Sequence, residues 1–320
     1  LATDSVTAVK IPDTVESSLK SGRKNLIING GFDVWQRATT GSAVNAFVYA
    51  SADRWEMVRS SINKATDSLG KTYANVVCGN WADNNYISQI IEGTNEMSGK
   101  TLTFSFTISS STLSDGRVYI RHLNGSTWTT AVWSDVFTYS STDTVKTYTF
   151  TLPSTKIDQI QVFIYGHAGT SNENGNSFNI KNVQLELGSV ATDFEHRSYG
   201  EELALCQRYY YKIDGGGYTW IAEVQRHNST GFRSVISLPV AIRDKPTISY
   251  SNLAYWYNNG SINNGTSSIS LGYTSSSATD ITQLNIEYVP TSMSLTNNSN
   301  LSAMLSFTSA GGYLAFDAEL

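Results

Sequence analysis

The sequence is poor in charged residues and in cysteine, and each shortage excludes a class of protein. Asp, Glu, Lys and Arg make up 15% of the 320 residues, against roughly 25% in ordinary soluble domains. Basic residues form no cluster and the net charge is −5, so we expect no nucleic-acid partner. The two cysteines, Cys78 and Cys206, cannot build a disulfide framework, and we expect both to be buried thiols.

Long apolar runs are missing as well. No stretch approaches the ~20 apolar residues of a membrane helix, so we expect no membrane insertion. The first residues, LATDSVTAVK, lack the apolar core of a secretion signal. The chain begins with Leu instead of Met, and we expect it to be a fragment of a longer polypeptide or a processed one.

The residue patterns of common catalytic sites are absent from the sequence. Its histidines are scattered, without HExxH or a similar metal-binding spacing. There is no GxSxG elbow, and the glycine run Gly215–Gly217 lacks the Lys-Ser/Thr of a phosphate loop. The adjacent carboxylates Glu201 and Glu202 would point in different directions from a helix. We therefore predict no catalytic residues and no enzyme activity.

The sequence is rich in Ser, Thr, Asn and Gly and shows period-two alternation, which favours strands and tight turns. In Thr101–Ser109, the clearest example, Leu, Phe, Phe and Ile alternate with hydroxyl residues. We predict an all-β fold, with a β-sandwich of the jelly-roll type over residues 25–200. Its predicted strands are Arg54–Arg59, Thr72–Cys78, Tyr86–Ile91, Thr101–Ser109, Val118–Leu123, Lys146–Leu152, Gln159–Tyr165 and Ser177–Glu186.

Residues 201–320 are predicted to form a second β-rich domain, with a helical turn at its start and a strand entered at Tyr209–Tyr211. Its further predicted strands are Thr219–Arg226, Phe232–Leu238, Thr247–Ser251, Ser268–Tyr273, Gln283–Val289, Met304–Thr308 and Gly312–Ala318.

Residues 1–24 are predicted to form a short helical stalk segment. The run after Pro12, Asp13-Thr14-Val15-Glu16, has the pattern of a helix N-cap with a capping box, and Gly22 can end the helix. A helix of about two turns is marginal in water on its own. We therefore expect its apolar residues to pack against other copies of the chain; a frayed tail is the alternative.

Two stretches in combination resemble one known family. The opening Asn25–Arg37, NLIINGGFDVWQR, and the joint Gln184–Tyr210, QLELGSVATDFEHRSYGEELALCQRYY, resemble segments of tail-fibre and other receptor-binding proteins of tailed bacteriophages. The resemblance implies a homotrimer located in the virion and acting at the host cell surface. It also implies attachment to other tail proteins through the N-terminus and synthesis in the host cytoplasm.

Residues 25–200 are also similar to the jelly-roll carbohydrate-binding modules attached to glycan-active enzymes. The similarity lies in Asn29-Gly30-Gly31-Phe32-Asp33 and in Asn182-Val183-Gln184-Leu185-Glu186. Those modules often hold a structural calcium ion between the corresponding strands, which implies a calcium site at Asp33 and Asn182. This chain has Asp33 where the modules commonly have Glu, and Asn182 where they commonly have Asp. The donor set therefore carries one negative charge fewer.

Aromatic residues in Asn- and Gly-rich loops are the predicted glycan-binding residues, because ring faces stack on sugars while amides bond their hydroxyls. For Tyr255–Tyr257, an alternating strand or packing between subunits is the alternative. The sequence leaves open which β-rich domain binds. The residues predicted to contact glycan are Trp81, Trp128, Trp220, Tyr255, Trp256 and Tyr257.

These observations favour the distal part of a phage tail fibre, a homotrimeric adhesin that binds a bacterial surface polysaccharide or an outer-membrane receptor. Multiple copies would convert weak single-site affinity into firm attachment. Two alternatives are a tailspike-like glycan depolymerase, which needs a pair of carboxylates across its substrate, and a purely structural virion component.

Overall fold

The computed structural model describes residues 23–81, 85–129, 133–169, 171–215, 219–226, 232–257, 262–264, 266–271, 281–290, 302–307 and 311–319. The chain divides into two compact units, Leu1–Glu202 and Leu203–Leu320. The predicted stalk, residues 1–24, lies outside the described residues except for Arg23 and Lys24. None of the helices in the described ranges has the length and apolarity needed to span a bilayer.

The first unit is built from eleven described strands, paired antiparallel. They are β1 (Glu56–Val58), β2 (Ser60–Thr66), β3 (Thr72–Cys78), β4 (Tyr86–Glu92), β5 (Thr101–Ser109), β6 (Asp115–Asn124), β7 (Thr127–Trp128), β8 (Trp133–Thr138), β9 (Thr144–Thr151), β10 (Gln159–Tyr165) and β11 (Ser177–Leu187). One sheet has the order β1-β4-β10-β6-β7, with β8 also paired to β6. The other has the order β2-β3-β11-β5-β9.

The two sheets share one apolar core, which makes the unit a β-sandwich of the predicted all-β type. In β10, Ile160, Val162 and Ile164 are fully buried and face the core. In β5, Leu102 and Phe104 bury their side chains from the opposite sheet. Each such residue contributes roughly 1.5–3 kcal/mol relative to an exposed position. The alternation read from the sequence therefore reports a real inner and outer face.

The opening segment, Asn25–Arg37, is organised by the fully buried side chain of Asn29. The Asn29 side chain donates to the carbonyls of Val34 (2.8 Å) and Asp53 (3.0 Å) and accepts from the Val34 N–H (3.0 Å). Asn29 itself has a φ of 57°, which asparagine tolerates better than most residues. Nearby, the Ile28 backbone exchanges two hydrogen bonds of 2.8 Å with the Gln89 amide of β4. These bonds tie the start of the unit to the first sheet.

The same segment is fixed to the last strand of the unit. The Leu26 N–H donates to the Leu185 carbonyl (2.8 Å), and the Val183 N–H donates to the Gly30 carbonyl (2.9 Å). A Cβ at Gly30 would overlap the Val183 carbonyl oxygen, so the close approach requires glycine. The two motifs that resemble carbohydrate-binding modules are therefore hydrogen-bonded neighbours.

Near the end of the first unit, the side chain of Arg197 links the opening segment to two carboxylates. The Arg197 guanidinium donates to the Ile27 carbonyl (3.0 Å), to the Asn25 carbonyl, and to the carboxylates of Glu195 and Glu202 (3.3 Å each). Glu202 also accepts from the Asn29 N–H. Burial raises the pKa of the Glu202 carboxyl above its ordinary value, although the Asn29 N–H and Arg197 act to lower it. Glu202 lies in helix α1 (Tyr199–Gln207), so the helical turn predicted at the start of residues 201–320 begins two residues earlier.

The second unit also places two antiparallel sheets around a core. Its described strands are β12 (Tyr210–Gly215), β13 (Trp220–Arg226), β14 (Phe232–Ile242), β15 (Thr247–Ser251), β16 (Leu253–Tyr257), β17 (Ile262–Asn264), β18 (Thr266–Leu271), β19 (Ile281–Pro290), β20 (Ser302–Phe307) and β21 (Gly312–Asp317). The sheet orders are β12-β21-β15 and β17-β16-β20-β13-β14-β19-β18. The Phe307 ring lies over the paired Gly215 and Gly312, where a Cβ would overlap it.

Most predicted strands are present, and the differences have local causes. β1 is shorter than predicted because Arg54 and Arg59 have positive φ values of 70° and 54°. β14 extends through Pro239, which lacks the N–H of a ladder hydrogen bond. Its pairing with β19 shifts register between Ser237 and Ile242. The predicted strands do not include β2, β7, β8, β16 and β17. For β16, an alternating strand over Tyr255–Tyr257 was the alternative to glycan binding.

Candidate functional site

The outer face of the first sheet carries a groove of about 440 Å³ that combines aromatic and basic side chains. We name it the aromatic groove. Because side chains alternate along a strand, β10 turns Phe163 and Tyr165 outward while its isoleucines face the core. The lining residues are Asn45, Ala46, Phe47, Val58, Arg59, Tyr86, Tyr119, Arg121, Phe163 and Tyr165.

Four rings on three neighbouring strands form the floor of the groove. Tyr86 on β4 has its ring centroid 5.1 Å from Phe163 and 4.8 Å from Tyr165. Tyr119 on β6 lies edge-on to Phe163 at 5.3 Å. The strand register explains the cluster, since Tyr165 is paired with Tyr86 and Phe163 with Tyr119. At the rim, Phe47 is 60% exposed, so an apolar face is available to a ligand.

A buried polar network lies beside these rings. The Glu56 carboxylate accepts from the Ser88 hydroxyl (2.5 Å) and from the Gln161 amide (3.0 Å). The Gln161 oxygen accepts from Nε (2.9 Å) and Nη2 (2.7 Å) of Arg121. Glu56, Ser88 and Gln161 are each at most 5% exposed. A satisfied network in such a place holds its members in one geometry.

Ring faces and an amide hold the two groove arginines in place. The Arg121 guanidinium lies 4.5 Å from the Trp128 ring and 5.0 Å from the Phe163 ring. Arg59 Nε donates to the Asn45 side-chain oxygen at 2.6 Å. Burial, followed by Tyr165 and Glu56, raises the pKa of the Tyr86 hydroxyl well above its ordinary value, while both arginines act to lower it. Both guanidinium groups therefore act on the same hydroxyl in the groove floor.

The predicted glycan-binding residues are divided between the two units. Trp128 lies beside the aromatic groove, stacked on Arg121. The Trp81 ring is half-buried and packs on Gly79, where a Cβ would lie 2.5 Å from it. In the second unit, Trp220 begins β13 and is 52% exposed. Tyr255, Trp256 and Tyr257 end β16, and their side chains lie outside the described part of the structure.

The residues predicted to bind calcium line a different pocket, of about 540 Å³. Asp33 Oδ1 accepts from the Thr72 hydroxyl at 2.6 Å, and Asn182 has a φ of 54°. Lys71 and His196 line the same pocket. No group of three or more His, Cys, Asp or Glu residues suited to a metal occurs in the described ranges. One carboxylate and one amide fall short of the charged oxygen donors that calcium usually takes, and the calcium site stays a prediction.

Sequence reasoning missed the aromatic groove, although part of its signal was present. Gln159–Tyr165 was recognised as an alternating strand, and an outward Phe163 and Tyr165 follow from that alternation. The partners of these rings come from distant positions, Tyr86 and Tyr119, and only the strand register brings them together. The sequence signal for the groove was an aromatic residue at a strand position where the alternation predicts an outward, polar side chain.

No protein-family model matches the sequence, and no curated protein matches it. Several solved structures are similar to parts of it. A family 4 carbohydrate-binding module aligns with a TM-score of 0.36 and 18% identity, over 50% of this chain and 98% of the module. The C-terminal family 22 carbohydrate-binding module of Clostridium thermocellum Xyn10B gives 0.34 and 15%, over 48% and 100%. The enzymatically active domain of tailspike protein 4 from bacteriophage CBA120 gives 0.35 and 11%, over 51% and 21%. Alignments at this level assign no function.

Proposed function

We propose that the first unit is a glycan-binding β-sandwich and that a saccharide binds along the aromatic groove. The observation that carries this proposal is the cluster of Tyr86, Tyr119, Phe163 and Tyr165 beside arginine and asparagine side chains. Apolar faces of sugar rings stack on aromatic rings, while amide and guanidinium groups donate hydrogen bonds to their hydroxyls.

Contacts within the protein also fix the side chains of the groove floor before a ligand binds. Tyr86 and Phe163 are at most 5% exposed because each packs against other rings of the floor. Gln161 fixes Arg121 through two hydrogen bonds to one oxygen. Ordering side chains on binding costs free energy, so a floor that is already ordered favours affinity.

A matched pair of tyrosine variants tests the site. Tyr119→Ala removes a floor ring, whereas Tyr73→Ala removes an outward tyrosine of β3 in the other sheet. The unmodified chain is first applied to an array of bacterial surface polysaccharides, and the affinity for the strongest ligand is measured by calorimetry. We expect Tyr119→Ala to weaken binding roughly three- to tenfold, the equivalent of one aromatic contact, and Tyr73→Ala to leave it unchanged. Equal effects of both variants, or binding that survives Tyr119→Ala, would exclude the groove.

We further infer that the chain acts as the receptor-binding part of a phage tail fibre, a homotrimer located in the virion. The support is the resemblance of Asn25–Arg37 and Gln184–Tyr210 to segments of such fibres. The contacts of Arg197 and Glu202 give these two segments a common structural role, since they bind one another. Light scattering should give three times the 35.0 kDa chain mass, and the purified protein should compete with a phage for adsorption to host cells. A monomer that does not adsorb would remove this inference while leaving glycan binding open.

The proposal is binding without cleavage. Glycoside hydrolysis commonly uses two carboxyl groups about 5–9.5 Å apart. The described lining of the aromatic groove contains arginines and aromatic residues, and the neighbouring Glu56 is buried against Ser88 and Gln161. Release of reducing ends from a bound polysaccharide by the purified chain would show the alternative, a depolymerase.

A further inference from the structure

The charges that line the aromatic groove have one sign. Arg59 and Arg121 are its charged lining residues in the part of the chain that the structure describes. The chain as a whole carries a net charge of −5, so the groove is locally opposite in sign to the average surface. A neutral saccharide gains hydrogen bonds from guanidinium groups, but it does not need two positive charges.

Arg121 is held by neutral groups, and part of its hydrogen-bonding capacity is unused. Its Nε and Nη2 both donate to the Gln161 side-chain oxygen, and Trp128 and Phe163 flank its plane. A guanidinium has five N–H donors. Within the described residues, the Nη1 group of Arg121 has no hydrogen-bond partner, and it is not among the buried unsatisfied atoms. The group is thus oriented, charged and open to solvent.

Among the described residues, the Glu56 carboxylate of the neighbouring network does not contact Arg121 directly. Glu56 is 5% exposed and bonded to Ser88 and Gln161, so the Gln161 amide separates it from Arg121. Within the described part of the chain, the positive charge of Arg121 is therefore oriented by an amide and has no carboxylate as a direct partner.

Resting on the proposed function, we propose that the saccharide of the aromatic groove carries a carboxylate, as in a uronic acid or a nonulosonic acid, and that Arg121 binds it. The planar guanidinium fork matches a carboxylate and forms charge-assisted hydrogen bonds with it. The ring of Tyr119 and the exposed ring of Phe47 would contact the sugar that bears the acid.

The test compares acidic polysaccharides with their carboxyl-reduced forms. Polygalacturonate and polysialic acid, each before and after chemical reduction of the carboxyl groups to alcohols, are measured against the unmodified chain, together with a panel of neutral glycans. We expect at least one carboxylated form to bind about tenfold or more tightly than its reduced counterpart, with an affinity that falls as salt is added. Arg121→Gln should remove this preference, and Arg121→Lys should restore only part of it, because lysine keeps the charge and loses the fork. Arg23→Gln, which removes a half-exposed arginine paired with Glu201, is the control and should change nothing.

The outcomes separate this inference from the proposed function. Equal binding of acidic and reduced forms, or binding of neutral glycans alone, overturns the carboxylate proposal and leaves the groove as a glycan site. An acidic preference that persists in correctly folded Arg121→Gln overturns the role of Arg121. Absence of binding to every saccharide overturns both proposals. Because the acidic and reduced ligands are compared on the unmodified protein, the test holds even if an Arg121 variant fails to fold.

Discussion

Replacing Gly30 with alanine tests the contact between the opening segment and the last strand of the first unit. A Cβ at this position would lie inside the 3.0 Å limit that such atoms keep from other heavy atoms, against the Val183 carbonyl oxygen. The obstacle is backbone, which cannot rotate away as a side chain would. Either the opening segment or β11 must therefore move.

The magnitude follows from the hydrogen bonds at this point. The Val183 N–H donates to Gly30 at 2.9 Å, and the Val183 carbonyl accepts from the Asn25 amide at 3.0 Å. Losing one or both leaves buried polar groups unsatisfied, at about 1–3 kcal/mol each. Replacing glycine with alanine restricts the unfolded chain and returns about 0.4–1 kcal/mol. We expect Gly30→Ala to lower the free energy of unfolding by about 2–4 kcal/mol.

The assay is urea unfolding followed by tryptophan fluorescence and circular dichroism, which reports the midpoint and the slope. Gly200→Ala is the matched control, because nothing lies within 4 Å of a Cβ there and the residue is in helix α1. That variant should be neutral or more stable by up to about 1 kcal/mol. If Gly30→Ala stays within about 0.5 kcal/mol of the parent chain, the close backbone approach is not a determinant of the fold.

Three further predictions concern buried and paired charges, each measured by urea midpoints. Arg197→Met leaves the carboxylates of Glu195 and Glu202 without their guanidinium partner and should lower the free energy of unfolding by about 3–5 kcal/mol. A decrease below about 1 kcal/mol would contradict this prediction. Burial lowers the pKa of His122 below its ordinary value of 6.5, so the neutral imidazole is accommodated above pH 6.5 and the protein loses stability as the pH falls below 6.5. His122→Gln should reduce this loss of stability at low pH. An unchanged dependence of stability on pH would contradict the prediction. The Lys181 ammonium lowers the pKa of Asp143, whose contribution is present above 3.8 and is lost as the pH falls through the depressed value. This carboxylate is 46% exposed, so Asp143→Asn should lower the free energy of unfolding by less than about 1 kcal/mol at pH 7, and this loss should shrink as the pH falls through the depressed pKa.

The sequence predicts the strands well because each strand is a local pattern. Thr72–Cys78, Thr101–Ser109 and Gln159–Tyr165 have the predicted bounds, and Thr101–Ser109 alternates between apolar and hydroxyl residues through its whole length. β2, Ser60–Thr66, was missed because its sequence SSINKAT contains few large apolar residues. Its place in the sheet is given by pairing with β3, which the local pattern does not report.

The site was less predictable, because it depends on register between distant strands. The sequence predicts binding by aromatic residues in loops, whereas the structure places Trp128, Trp220 and Tyr255–Tyr257 on β7, β13 and β16. The groove uses other rings on strands, and two of these, Tyr86 and Phe163, are largely buried against one another. Because these rings are mostly buried, neither residue resembles a ligand contact when it is considered by itself. Only the pairing of β10 with β4 and β6 shows that they share one outer face.

The identity of residue 161 joins the packing of the groove to its electrostatics. A carboxylate at this position would pair with Arg121 and neutralise it, and it would repel the buried Glu56 beside it. An apolar residue would remove the hydrogen-bond acceptor of Arg121 Nε and Nη2. It would also leave the Glu56 carboxylate with only Ser88 among the partners described above. Glutamine alone among these choices donates to Glu56 and accepts from Arg121 at once, as the distances of 3.0 Å and 2.7 Å show. The groove thereby keeps a rigid cation next to its rings, and this is the combination that an acidic sugar requires.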